Sequence, residues 1–189
     1  MITLDPKTTA LVLIDLQNGI ASLPDLAPRS GTEVVATATP LAEKFRAAGA
    51  TIVLVNVAFA PDFGDAPGRN VDTPMQIPAD GLPPTWSDIV DGLAHPGDLH
   101  VTKHQWGAFT GTDLDLQLRR RGIKTLVLGG IATHMGVEST LRHAWELNYD
   151  VVVAEDICAT FSKDVHDMAL AITFPRLSRV TQSTSLTLG

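Results

Sequence analysis

An aspartate closing a wholly apolar run, a lysine closing a second run, and a string of small residues leading into a helix are the three features of this sequence that could carry chemistry. Asp15 follows Ala10-Leu11-Val12-Leu13-Ile14. A carboxylate at the end of such a run is costly unless it has a partner or a task. It either caps a turn through Gln17 or Asn18, or works as a general acid or base. Lys103 follows the shorter run at 98–102. Brought near Asp15, its ammonium would hold the carboxylate and offer charge to an anionic substrate. The lysine would lower the Asp15 pKa and burial would raise it, so spacing leaves the direction open. The third feature is Gly129-Gly130-Ile131-Ala132-Thr133-His134-Met135-Gly136. Its small residues let backbone approach a ligand closely. Free N–H groups where the following helix starts suit a carboxylate or an oxyanion. The glycine spacing fits neither G-x-G-x-x-G nor a phosphate loop, which argues against a nucleotide.

Elements able to position these groups follow from the pattern of the chain. Short apolar runs at 10–14, 51–57, 98–102, 125–129 and 149–154, with a weak one at 179–182, read as strands. Helical spacing is evident at 33–48, with Ser30 or Thr32 as cap and Gly49 as stop. A helix starts near Thr112 and ends at Arg119-Arg120-Arg121, which reads as a solvated C-terminus with its charges in the order the helix dipole favours. Two more helices are expected at 134–147, stopped by Asn148, and at 163–173. Glu138 and Arg142 form an i,i+4 pair that reads as structural. Strands wholly apolar and alternating with helices predict one α/β domain over residues 1–189. This is a three-layer α/β/α, Rossmann-like fold with a mostly parallel sheet of about six strands. Ligands in such sheets bind past the carboxyl ends of the strands, where the strand order reverses. Residues 58–97, rich in proline and glycine, form a long irregular segment of the kind that serves a site or an interface.

Composition narrows the partners. The chain has 189 residues, 44% of them hydrophobic and 19% charged, enough for one core. A net charge of −7 argues against nucleic acid and anionic membrane surfaces as the main partner and says nothing specific about a small-molecule substrate. No run of about 18 apolar residues predicts a membrane span. The opening residues show no signal-like stretch, and the sole cysteine, Cys158, forms no internal disulfide. Both suit a cytoplasmic protein. Cys158 itself reads as a core thiol.

Three segments resemble the isochorismatase-like hydrolase family. These are Leu13-Ile14-Asp15-Leu16-Gln17, the segment from Lys103 to Leu114, and Gly130-Ile131-Ala132-Thr133-His134-Met135-Gly136-Val137-Glu138-Ser139-Thr140. The match runs from about residue 9 to 180 with order and spacing kept. The resemblance implies Asp15, Lys103 and position 136 as the catalytic positions, and a cis Ile131–Ala132 peptide that turns the Ala132 and Gly136 amides toward substrate. Ile131, Ala132, His134, Gln17, Trp106 and Phe109 are the accompanying candidates for substrate contact. For Trp106 and Phe109, walling a pocket and packing a subunit contact are both open. The amidases of the family have a cysteine nucleophile where this chain has Gly136. Its vinyl ether hydrolases have glycine there too, two residues after a histidine, as in His134-Met135-Gly136. The resemblance therefore implies a cofactor-free hydrolase of a small carboxylated molecule, cleaving a vinyl ether or similarly activated C–O bond by acid–base chemistry. A C–N hydrolase with aspartate-activated water, and a silent ligand-binding or assembly module, are the alternatives. Nicotinamidases of the family hold a metal with an aspartate and histidines after the second strand. Here that segment reads Asn56-Val57-Ala58-Phe59-Ala60, so no metal and no other cofactor are expected. A homo-oligomer, dimer or higher, is implied as well.

Overall fold

Apolar runs without polar alternation must be hidden on both faces, and the structure, a computed structural model, sets them side by side in one sheet. It describes residues 1–68 and 70–189, so position 69 of the long segment lies outside the description. In chain order the strands are β1 (Ile2–Leu4), β2 (Thr9–Ile14), β3 (Thr51–Val57), β4 (Leu99–Lys103), β5 (Thr125–Ile131), β6 (Asp150–Ala159), β7 (Arg179–Thr181) and β8 (Leu186–Leu188). The helices are α1 (Asn18–Ala21), α2 (Gly31–Ala47), α3 (Leu114–Arg120), α4 (Glu138–Glu146) and α5 (Lys163–Met168). The main sheet has six strands in the order β4-β3-β2-β5-β6-β7, every pairing parallel.

The period of two along each strand divides the core between two layers. Leu11, Leu13, Ile52, Leu54, Val127 and Val152 pack with Val34, Ala38, Leu41 and Phe45 of α2. Ala10, Val12, Ile14, Val53, Val55, Leu126 and Leu128 pack on the other side with Leu114 and Leu118 of α3 and with Leu141 and Ala144 of α4. Helix α2 starts on a capping box: the Glu33 N–H donates to Ser30 Oγ, and the Ser30 N–H donates back to the Glu33 carboxylate. Its chain leaves through Gly49, at φ +75°, as the stop signal implies. Among the described residues no helix is long and apolar enough to cross a membrane.

Strand order fixes where a site can be. From β2 the chain builds outward through β3 to β4, then returns to β5 and builds the other way through β6 to β7. The connections after β2 and β5 therefore part from one another, opening a crevice above neighbouring strand ends. Asp15 stands at one of those ends and the Ala132–Gly136 turn at the other.

The fold departs from the sequence reading at several places. A second, two-stranded sheet pairs β1 with β8, joining the two ends of the chain; three-residue strands carry too little pattern to be read. Strand β6 runs to Ala159, five residues beyond the expected end, across a register shift. Leu128 faces Val153, but Gly130 faces Cys158. The excess chain bulges over β5, and a Cβ on Gly129 would stand 2.4 Å from the Ile157 side chain. A Cβ on Gly130 would stand 2.0 Å from the Ile14 carbonyl. The smallness of this pair, read above as room for a ligand, makes room for neighbouring strands. Finally, the helix expected from 134 opens as a π-helical turn, Thr133–Val137, before α4 begins. Such wide turns are frequent at functional sites.

Candidate active site

Asp15 is 4% exposed and has φ +54°, in the left-handed region that aspartate tolerates better than most residues. That reversal ends β2 abruptly. Lys103, 1% exposed at the end of β4, crosses the end of β3 to reach it. The Lys103 ammonium donates to Asp15 Oδ2 at 2.7 Å and to the Gln105 carbonyl at 3.0 Å. The other carboxyl oxygen, Oδ1, is buried with no hydrogen-bond partner among the described residues. An orphaned buried oxygen of this kind calls for an explanation, and a proton or a substrate atom supplies one. Burial pushes the Asp15 carboxyl up to about 6, outweighing the opposing pull of the Lys103 charge and hydrogen bond. The direction left open by the sequence is thus settled by desolvation.

Across the crevice the Ile131–Ala132 peptide is cis. The Ala132 carbonyl accepts from the Met135 and Val137 N–H groups at 3.1 and 3.2 Å, closing the turn. Gly136 lies against the acid. A Cβ built on it would stand 3.2 Å from Asp15 Oδ2, 3.0 Å from Ile14 Cγ2 and 3.5 Å from the Trp106 carbonyl. Its φ lies outside the left-handed region. A side chain at this position would therefore crowd the acid rather than strain the backbone. Cys158 offers no replacement thiol: it is fully buried on β6, and burial pushes its pKa up to about 12.

The remaining candidates separate into those at the crevice and those in the framework. His134 flanks the turn, its Nδ1 2.6 Å from the Thr160 hydroxyl and its ring edge-on to Phe161. Partial burial holds its pKa below the usual histidine value, against the pull of Glu138. Trp106 is half exposed and borders an apolar cleft of about 320 Å³ with Pro67, Gln105 and Gly107. A larger cavity, about 410 Å³, lies beyond β6 and β7 beside Arg29 and His166 and includes none of the site residues predicted from sequence.

Three candidates have their side chains in the framework. The Ile131 side chain is wholly buried in the core under α2, leaving only its backbone at the turn. Phe109 is core as well, stacked on Tyr149 and tilted against His143. Gln17 is fully buried, and its amide is taken up by backbone. It donates to the Val57 and Trp86 carbonyls at 3.0 and 3.1 Å and accepts from the Val57 N–H at 2.7 Å. Its task is to clamp the long segment to the end of β3. Gln17→Ala is expected to cost about 2 kcal/mol by leaving the Val57 groups unpaired. Urea unfolding measures the loss, and faster hydrogen exchange at 86–90 locates it.

Sequence reasoning did not single out Thr160 or Gln105. Their partners lie 26 residues away in one case and through a main-chain oxygen in the other, and neither leaves a local pattern.

The sequence and fold are shared with known proteins. The isochorismatase domain model matches residues 9–185. A solved isochorismatase family protein from Burkholderia thailandensis superposes with a TM-score of 0.91 at 50% identity, over 97% of this chain and 95% of that one. The isochorismatase family protein YecD of Escherichia coli O157:H7 is 48% identical over 181 residues, 95% of each chain. The ureidoacrylate amidohydrolase RutB of Methylobacterium radiotolerans is 33% identical, over 90% of this chain and 74% of its own length. With the family model spanning nearly the whole chain and relatives this close, the protein belongs to the isochorismatase family of hydrolases.

Proposed function

We propose that this hydrolase cleaves a vinyl ether, or a similarly activated C–O bond, in a small carboxylated molecule, with Asp15 as the acid. The observation that carries the reading is the Asp15 carboxyl. It is buried, pushed up to about 6, bonded to Lys103 through Oδ2 alone, and set against a glycine. A carboxyl with that pKa keeps a useful protonated fraction near neutral pH. Its proton goes to the terminal enol carbon, and the electron pair of the C=C bond forms the new C–H bond. Water attacks the resulting oxocarbenium carbon and returns a proton to the Asp15 carboxylate. The hemiketal then collapses to a ketone and an alcohol, so one water is consumed per bond cleaved. Lys103 holds the carboxyl in place and offers positive charge to the substrate carboxylate. The Ala132 and Gly136 amides, His134 and Trp106 supply the surrounding contacts. A homo-oligomer, as the resemblance implies, is part of the same reading.

A second reading is C–N hydrolysis with Asp15 as the base for water, favoured by the similarity to ureidoacrylate amidohydrolases. Without a thiol beside Asp15, such an enzyme forms no covalent intermediate and acts slowly on unactivated amides. The experiment that separates the two is turnover of isochorismate and of ureidoacrylate, following pyruvate and ammonia, each beside Asp15→Ala. Pyruvate release that vanishes in the variant supports the first reading. Ammonia release alone replaces it with the second.

A further inference from the structure

We propose that the Thr140 hydroxyl is a positioning group that locks the Gly136 turn to the loop after Lys103 and thereby sets the distance between Gly136 and the Asp15 carboxyl. The proposal deepens the hydrolase reading above and rests on it for its kinetic consequence. Thr140 is wholly buried near the start of α4. Its hydroxyl donates to the Gly136 carbonyl at 2.7 Å and accepts from the Ala108 N–H at 3.1 Å. A hydroxyl has one proton, so these roles are fixed: the proton serves Gly136 and a lone pair serves Ala108.

The two segments it joins are the two halves of the site. The loop from Lys103 to Ala108 puts the Gln105 carbonyl on the Lys103 ammonium. The Gln105 side chain ties that loop to itself through the Gly107 and Thr110 carbonyls. The loop meets the turn along a seam, where a Cβ on Gly107 would lie 3.6 Å from Ser139 Cβ and one on Gly136 3.5 Å from the Trp106 carbonyl. Those contacts are non-directional, and among the described residues Thr140 supplies the seam's hydrogen bonds. On its far side the turn is anchored elsewhere, through Thr133 to His166 at 2.9 Å and through His134 to Thr160. The β2–β5 ladder brings the turn beside Asp15, and Thr140 adds the hydrogen-bonded link between the turn and the loop after Lys103. Valine has a similar size, and what it removes is the hydroxyl, which leaves the buried Ala108 N–H without its partner.

Thr140→Val, with Thr140→Ser as the conservative variant, tests the proposal through the Asp15 carboxyl followed by carbon NMR against pH. In Thr140→Val the turn is released, water reaches the acid, and its midpoint is expected to fall by about one unit or more. Thr140→Ser restores the wild-type midpoint. In turnover, kcat falls about 10–100-fold with KM within about threefold, and serine restores it. A valine variant that melts earlier but keeps the wild-type Asp15 midpoint and kcat overturns the proposal and leaves Thr140 a structural residue. Should valine prevent folding, Thr140→Ala is read in the same way, and a displaced midpoint in the serine variant also overturns it. If wild-type protein turns over neither substrate class, the functional reading fails while the titration still decides the role of Thr140.

Discussion

Asp15→Asn lowers kcat by about 10²–10⁴-fold, the range expected when a proton-transfer group is removed, while the folded structure is kept. With Asp15 as the proposed acid and its carboxyl at about 6, wild-type kcat/KM is expected to fall as pH rises through that value, approaching tenfold per pH unit above it. The sign separates mechanisms. If Asp15 served as the base of a C–N hydrolase, kcat/KM would instead rise through the same pH. A flat profile between pH 5 and 8 contradicts both roles. The same carboxyl leaves a mark on stability. Its folded pKa, about 6, is raised above the ordinary aspartate value of 3.8. Between those values the folded state holds more protons than the unfolded chain. The stability that Asp15 contributes is therefore full at low pH and lost as pH rises through about 6. The difference amounts to at most about 3 kcal/mol at roughly 1.4 kcal/mol per unit. Urea unfolding from pH 4 to 7, with wild type and Asp15→Asn compared at each pH, isolates this contribution from that of the other carboxylates.

The second large effect is expected from Lys103→Met. Methionine fills much the same volume but leaves the Asp15 carboxyl buried with no ion partner. Removing one member of a buried pair costs about 3–5 kcal/mol when the remaining charge is forced to stay. Here the carboxyl has another course: its pKa rises beyond its wild-type value and it becomes neutral. The variant is therefore expected to lie close to wild type in stability near pH 5 and to lose ground steadily toward pH 8. Unfolding at both values reads this directly, and an equal loss at the two pH values contradicts the linkage. Adding Asp15→Asn to Lys103→Met removes the second charge. The double variant is expected to recover much of the lost stability at pH 8, as buried pairs replaced by neutral groups commonly do. Activity does not recover, because the acid is gone. Together these variants separate what the pair does for the fold from what it does for the reaction.

On the proposed reading, Gly136 marks where this chain departs from the amidases that its sequence resembles. The glycine is not demanded by its backbone conformation, since its φ lies outside the left-handed region. What it provides is proximity, because it lets the Asp15 carboxyl lie where a side chain would otherwise press on it. That arrangement suits an acid acting alone and fits poorly with a scaffold that lacks nothing but a thiol.

Periodicity and local chemistry sufficed for much of the molecule. Runs such as Ala10–Ile14 have no polar face, so they belong to a sheet covered on both sides, and their alternation with helices forces parallel order. Asp15 and Lys103 stood out because a charge at the end of a buried strand is expensive wherever the chain takes it. Stop signals at Gly49 and Asn148 were readable because left-handed backbone favours those residues, and both adopt positive φ. What sequence did not determine is what depends on distant neighbours. That the Val57 backbone takes up the Gln17 amide and that the Tyr149 ring stacks on Phe109 left no local signal. Gly129 and Gly130 looked like a ligand-facing pair until the bulge of β6 and the Ile14 carbonyl were found against them. The direction of the Asp15 shift is the clearest case. It is a contest between burial and an ammonium 88 positions away, and only the tertiary structure, by burying the pair, decides that the shift is upward.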